Sequence, residues 1–142
     1  MHSEILKPVV VLVAWTLVML VWLVVTRVPA LKKAGIDLNT VTGGRPGALD
    51  TVLPEQTQWK AHNYIHLVEQ PTLFYAICIV IALTGTGNGP NAWIAWAYVA
   101  LRIAHSLVQV TTNRVRYRFA LFGLSTLALI ALTLHAAMAV FH

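Results

Sequence analysis

WKAHNYIHLVEQPTLFY, residues 59–75, sets His62, His66 and Glu69 in a segment that runs on without charge through ICIVIALTG. At about 100° per residue the three polar side chains fall within about 60° of one another, so a helix here carries a polar stripe. A carboxylate in hydrocarbon costs several kcal/mol, and such a residue faces protein rather than lipid and marks a site. The fold therefore turns on whether the surrounding chain is a membrane protein.

Composition says that it is. Of 142 residues, 58% are hydrophobic and only 11% are charged, against roughly 25% charged in an average soluble domain. The formal charge of +5 comes from basic residues clustered at two connections, which topology explains without nucleic acid. No nucleic-acid partner is expected. The one cysteine, Cys78, lies in an apolar run and reads as a buried thiol without a disulfide or Cys-type metal site.

Four apolar segments follow from the sequence: residues 5–26, 59–85, 92–113 and 117–141. Each is long enough at about 1.5 Å per residue to cross a hydrocarbon core of about 30 Å. Residues 28–58 read as a long polar loop containing Lys32, Lys33, Asp37, Arg45, Asp50 and Glu55, with a turn at GGRPG. Its glycines lack the GK[ST] ending of a phosphate loop. Pro71 predicts a kink just past Glu69. Basic residues flank the first connection and form the third, RVRYR, whereas the second, TGTGNGPN, has none. The positive-inside rule then places both termini outside and the long loop in the cytoplasm. The fold expected is an all-α, single-domain integral membrane four-helix bundle.

The third segment holds a second stripe, Arg102, His105, Ser106, Gln109 and Asn113, within about 100° of arc. Glu69 follows Gln58 by eleven residues and Asn113 follows Arg102 by eleven. Both spacings correspond to about 16 Å at 1.5 Å per residue, so Glu69 and Arg102 are expected at one depth, as an ion pair. That pair alone suits a structural lock between helices as well as it suits a site. The arginine cluster Arg114, Arg116 and Arg118 lies at the mouth of the same stripe, with Tyr117 placed to stack on one of them. Guanidinium forks suit carboxylates, and a cation beside a thiol favours the thiolate.

The exit of the first span at Arg27, the run KAHNYIHLVEQPTLFY, and LRIAHS followed by NRVRYR together resemble the membrane-associated proteins in eicosanoid and glutathione metabolism, the MAPEG family, especially its bacterial members. The resemblance covers nearly the whole chain. It implies a homotrimer in a bacterial inner membrane, with glutathione as co-substrate bound between protomers near the cytoplasmic side. By position, Glu69 matches the helix-two acid, His105 the Tyr or His of helix three, and Arg27 the arginine ending helix one. Arg116 or Arg118 matches the thiolate-stabilising arginine. His66 stands where the better-known members carry Asn, and Gln109 where several carry Tyr.

The favoured reading is a glutathione-dependent transferase or peroxidase acting on lipophilic electrophiles or lipid hydroperoxides. Arg116 and Arg118 are the catalytic candidates, and His105 is expected to position the peptide. The binding candidates are Arg27, His66, Glu69, Arg102, His105, Gln109, Asn113, Arg114 and Tyr117. The alternative, to which the changes at His66 and Gln109 lend some weight, is a lipid-binding scaffold or accessory subunit without chemistry. A metal site from His62, His66, Glu69 and His105 has permissive spacing but no recognised motif, and none is expected.

Overall fold

The computed structural model describes residues 3–36 and 53–142. It consists of four helices, α1 (Leu6–Lys33), α2 (Glu55–Leu83), α3 (Pro90–Thr111) and α4 (Val115–Phe141). Among the described residues there is no strand, so the expected all-α four-helix bundle is what forms. The GGRPG turn, with Asp37, Arg45 and Asp50, lies outside the described residues.

The helices reach further than the apolar runs do. α1 continues six residues past Arg27 and through Pro29, because Ala30, Leu31, Lys32 and Lys33 are good helix formers and a proline deletes only one backbone bond. It ends where Gly35, at φ 83°, lets Ile36 N–H reach Leu31 O at 3.0 Å and Gly35 N–H reach Lys32 O at 3.1 Å, a Schellman close. Gly85, at φ 76°, ends α2 in the same way, with Thr86 N–H on Ile81 O. α2 begins at Glu55, inside the stretch read as loop, and runs unbroken past Pro71.

α2 and α3 form the centre of the bundle. Each touches the other and both flanking helices, and α1 and α4 do not meet. The seam is made by Leu12 and Met19 of α1, Leu67, Phe74, Cys78 and Ile81 of α2, Ala95, Tyr98 and Val99 of α3, and Leu129 and Leu132 of α4. The rims of α1 and α4 are the reverse: Val10, Val21, Val25, Leu127, Leu134 and Met138 are exposed. In a bilayer these side chains meet acyl tails. α1, α2 and α4 are each long and apolar enough to cross a membrane. α3, with 22 residues, is about 33 Å long, and its polar side chains are turned into the bundle.

The two ends of the bundle differ in chemistry. At one end the start of the chain is stitched to the α2–α3 turn, with Ile5 N–H on Gly87 O at 3.0 Å and Glu4 N–H on Asn88 Oδ1 at 2.9 Å. His135 of α4 bonds Asn91 of α3 there as well. At the other end lie Lys32, Lys33, Arg114 and Arg116. Gly87 leaves no room for a side chain: a Cβ would run into Ser3 Oγ and would sit 2.7 Å from Ile5 Cγ2, and Ile5 is fully buried. Gly87→Ala is expected to destabilise the bundle by about 1–3 kcal/mol, the usual cost of overpacking. It would be read as a lower unfolding temperature in detergent; an unchanged value would mean that the stitch does not hold the fold.

Candidate functional site

The buried face of α3 carries its polar residues at helical spacing: Tyr98, Arg102, His105, Ser106 and Gln109 are all buried. Four of them, all but Gln109, find α2 or open on a cavity. Arg102, 2% exposed, donates from Nη2 to the His66 carbonyl at 3.1 Å, and its buried Nε has no partner. Ser106 Oγ donates to Asn63 Oδ1 at 2.6 Å. Tyr98 donates to Gln70 Oε1 at 2.9 Å, Gln70 Nε2 donates to Thr126 Oγ1 at 3.0 Å, and the Tyr98 ring stacks on Phe74 at 4.3 Å. Interhelical hydrogen bonds in membrane proteins are worth about 0.6 kcal/mol each, so these contacts set the register of α2 on α3 more than they add stability.

Beside Arg102, a cavity of about 180 Å³ opens between α2, α3 and α4, lined by His66, His105, Val115, Arg118, Phe119 and Phe122. The imidazoles of His66 and His105 meet edge to face at 6.1 Å. Arg118 is aimed by the α3–α4 turn. Asn113 takes φ 49°, a left-handed conformation that Asn tolerates better than most residues, and its N–H closes on Val108 O at 2.7 Å. That turn presents Asn113 Oδ1 to Arg118 Nη1 at 2.8 Å, while Arg118 Nε stays buried without a partner. A clamped guanidinium with an unmet donor, two imidazoles and a wall of Val115, Phe119 and Phe122 suit one end of an amphiphilic anion.

The expected ion pair between Glu69 and Arg102 does not form. Arg102 points into the bundle and uses the His66 backbone. Glu69 is exposed on the surface of the chain. Helix phase is the reason: taking Leu67 as the core direction, His62, His66 and Glu69 lie about 100° to 160° around α2 from it. The stripe is real, but its acid faces away from the core.

The remaining candidates divide. Asn113, His105 and Arg118 come together, with Gln109 buried one turn beyond His105 and its Oε1 unpartnered. Arg114 and Arg116 are exposed and do not line the cavity. Tyr117 is also exposed, not stacked on an arginine, and the cation–π contact among the described residues is Lys60 over Trp22 at 5.1 Å. Arg27 is half-buried on α1, away from the cavity lining. Among the described residues no cluster of three His, Cys, Asp or Glu is placed to hold a metal ion.

Sequence reasoning missed Val115, Phe119 and Phe122 as cavity walls and Asn63 as the partner of Ser106. The first three were open to detection, since together with Arg118 they recur at i, i+3, i+4 and i+7, one face of a helix.

No curated protein and no solved structure matches the chain. The model of the MAPEG family matches residues 5–138, from the first buried residue before α1 to the last turn of α4, and takes in every residue of the cavity. This chain, with its apolar helices and its polar cavity between α2, α3 and α4, is a membrane protein and belongs to the MAPEG family.

Proposed function

We propose that the protein is a membrane-bound glutathione-dependent transferase or peroxidase acting on lipophilic electrophiles or lipid hydroperoxides. The observation that carries this reading is Arg118, clamped by Asn113 and lining a cavity whose α4 wall also carries Phe119 and Phe122 and faces the imidazoles of His66 and His105. The guanidinium would hold the thiolate, and Phe119 and Phe122 would meet the lipophilic partner. The basic end of the bundle faces the cytoplasm by the positive-inside rule, where glutathione is available.

A homotrimer belongs to the same proposal. A cavity of about 180 Å³ is smaller than the roughly 300–1,000 Å³ of ordinary ligand sites, so one protomer supplies only part of a glutathione site. The exposed Glu69 on α2 would be costly against lipid. A neighbouring copy laid over that face would shield the carboxylate and enlarge the chamber, leaving Glu69 free to take the ammonium group of glutathione.

The test is to titrate glutathione into purified protein while following ultraviolet thiolate absorbance and thermal unfolding. The reading expects a thiolate signal and a raised unfolding temperature; neither appearing would leave a lipid-binding scaffold as the better account. Asn113→Gly refines the test, because glycine keeps the left-handed turn but removes the clamp on Arg118. The variant is expected to fold and to lose roughly tenfold in glutathione affinity, the scale of about 1.4 kcal/mol for one hydrogen bond to a charged group. Unchanged affinity would mean that the clamp has no bearing on binding.

A further inference from the structure

We propose that His105 is the proton acceptor for the bound thiol, an inference that rests on the glutathione reading above. Of the six side chains lining the cavity, Val115, Phe119 and Phe122 have no proton chemistry, and Arg118 is a permanent cation that can only donate. That leaves the two imidazoles. His66 is exposed at the cavity's outer side, whereas His105 is 6% exposed, and the cavity it lines is where that remaining surface opens. Among the described residues neither ring nitrogen of His105 is hydrogen-bonded, and its contact with His66 is ring edge to ring face. It is therefore a buried imidazole on the wall of the cavity that Arg118 also lines, where the sulfur would be held.

Each helix around it has a part in the step. Arg102, one turn back on α3, ties the His66 carbonyl of α2 and so fixes the far wall. Arg118 comes from α4, and Glu69 on α2 looks away from the cavity. In the step itself the S–H bond of glutathione breaks and an N–H bond forms on His105. The electron pair stays on sulfur opposite the Arg118 guanidinium, and the proton stays inside the site as imidazolium. No oxidant or further reactant is needed. An arginine alone would stabilise a thiolate but would leave its proton to go to water.

That difference is measurable on the wild-type protein by calorimetry of glutathione binding in two buffers of different ionisation enthalpy. The expected result is thiolate absorbance with no net proton passed to the buffer. Thiolate formed with about one proton released per site would overturn the proposal while leaving glutathione binding intact. No binding at all would overturn both this proposal and the functional reading beneath it. His105→Gln, checked for folding by retained glutathione binding, is expected to lose roughly 10²-fold in turnover near neutral pH and to recover as pH rises and hydroxide takes over. His66→Gln is expected to weaken binding but to keep proton uptake within the site. Loss of that uptake in His66→Gln and not in His105→Gln would move the role to His66 and sink the assignment.

Discussion

Under the proposed function, Arg118→Leu is expected to lower glutathione-dependent turnover by roughly 10²–10³-fold, the usual loss when a fixed donor opposite a developing negative charge is removed. The neighbouring change Arg116→Leu is expected to shift the same rate by about twofold or less, on the scale of a surface substitution. The two residues are alike in charge and lie two apart, so the contrast isolates geometry. Arg118 lines the cavity and is gripped by Asn113, and Arg116 is exposed. Steady-state rates with a lipophilic electrophile would measure both. Equal losses in the two variants would mean that the arginines act as a diffuse field and that the clamped guanidinium has no special place.

The largest loss of stability is expected from Phe74→Ala. Phe74 of α2 is fully buried and stacks on Tyr98 at 4.3 Å and 12°. Truncating such a residue costs about 3–5 kcal/mol in a water-soluble protein, part transfer and part cavity. In a bilayer the unfolded reference is also apolar, so the transfer part shrinks and the lost packing remains. The expected value is thus at the lower end, about 3 kcal/mol, and Tyr98→Phe, which deletes only the hydroxyl donated to Gln70, should cost about 0.6 kcal/mol. Unfolding of the two variants in detergent, followed side by side, checks the ratio. A Tyr98→Phe loss as large as that of Phe74→Ala would show that the polar chain through Gln70 and Thr126 holds α2 to α3 and the ring stack does not.

Much of this architecture was readable in the chain. The apolar runs mark four helices, and the stripe on α3 points inward as its spacing predicts, because every other face of that helix is apolar and can meet lipid or neighbouring side chains. α2 was harder to read. Its polar residues fall on both sides: Asn63 and Gln70 meet the bundle, and His62 and Glu69 lie outside it. Periodicity reports that a stripe exists but not which way it turns when two stripes compete. Equal depth was a sound argument for Glu69 and Arg102, and angle defeated it. Arg102 takes a backbone carbonyl instead, a partner that leaves no mark in a sequence. The arginine hairpin was likewise visible as a cluster, but the left-handed turn at Asn113 that selects Arg118 from it emerges only in three dimensions.

The polar face of α3 also bears on how the chain enters its membrane. A segment carrying Arg102, His105 and Gln109 partitions poorly into lipid alone, since an arginine at mid-helix costs about 2.5–3.5 kcal/mol on insertion scales. Its most extensive packing is against α4, joined to it by a turn of only three residues, 112–114. Biogenesis should therefore proceed by hairpin, with the more apolar α4 carrying its neighbour across, and a nascent chain halted before residue 115 would leave α3 lodged at the interface.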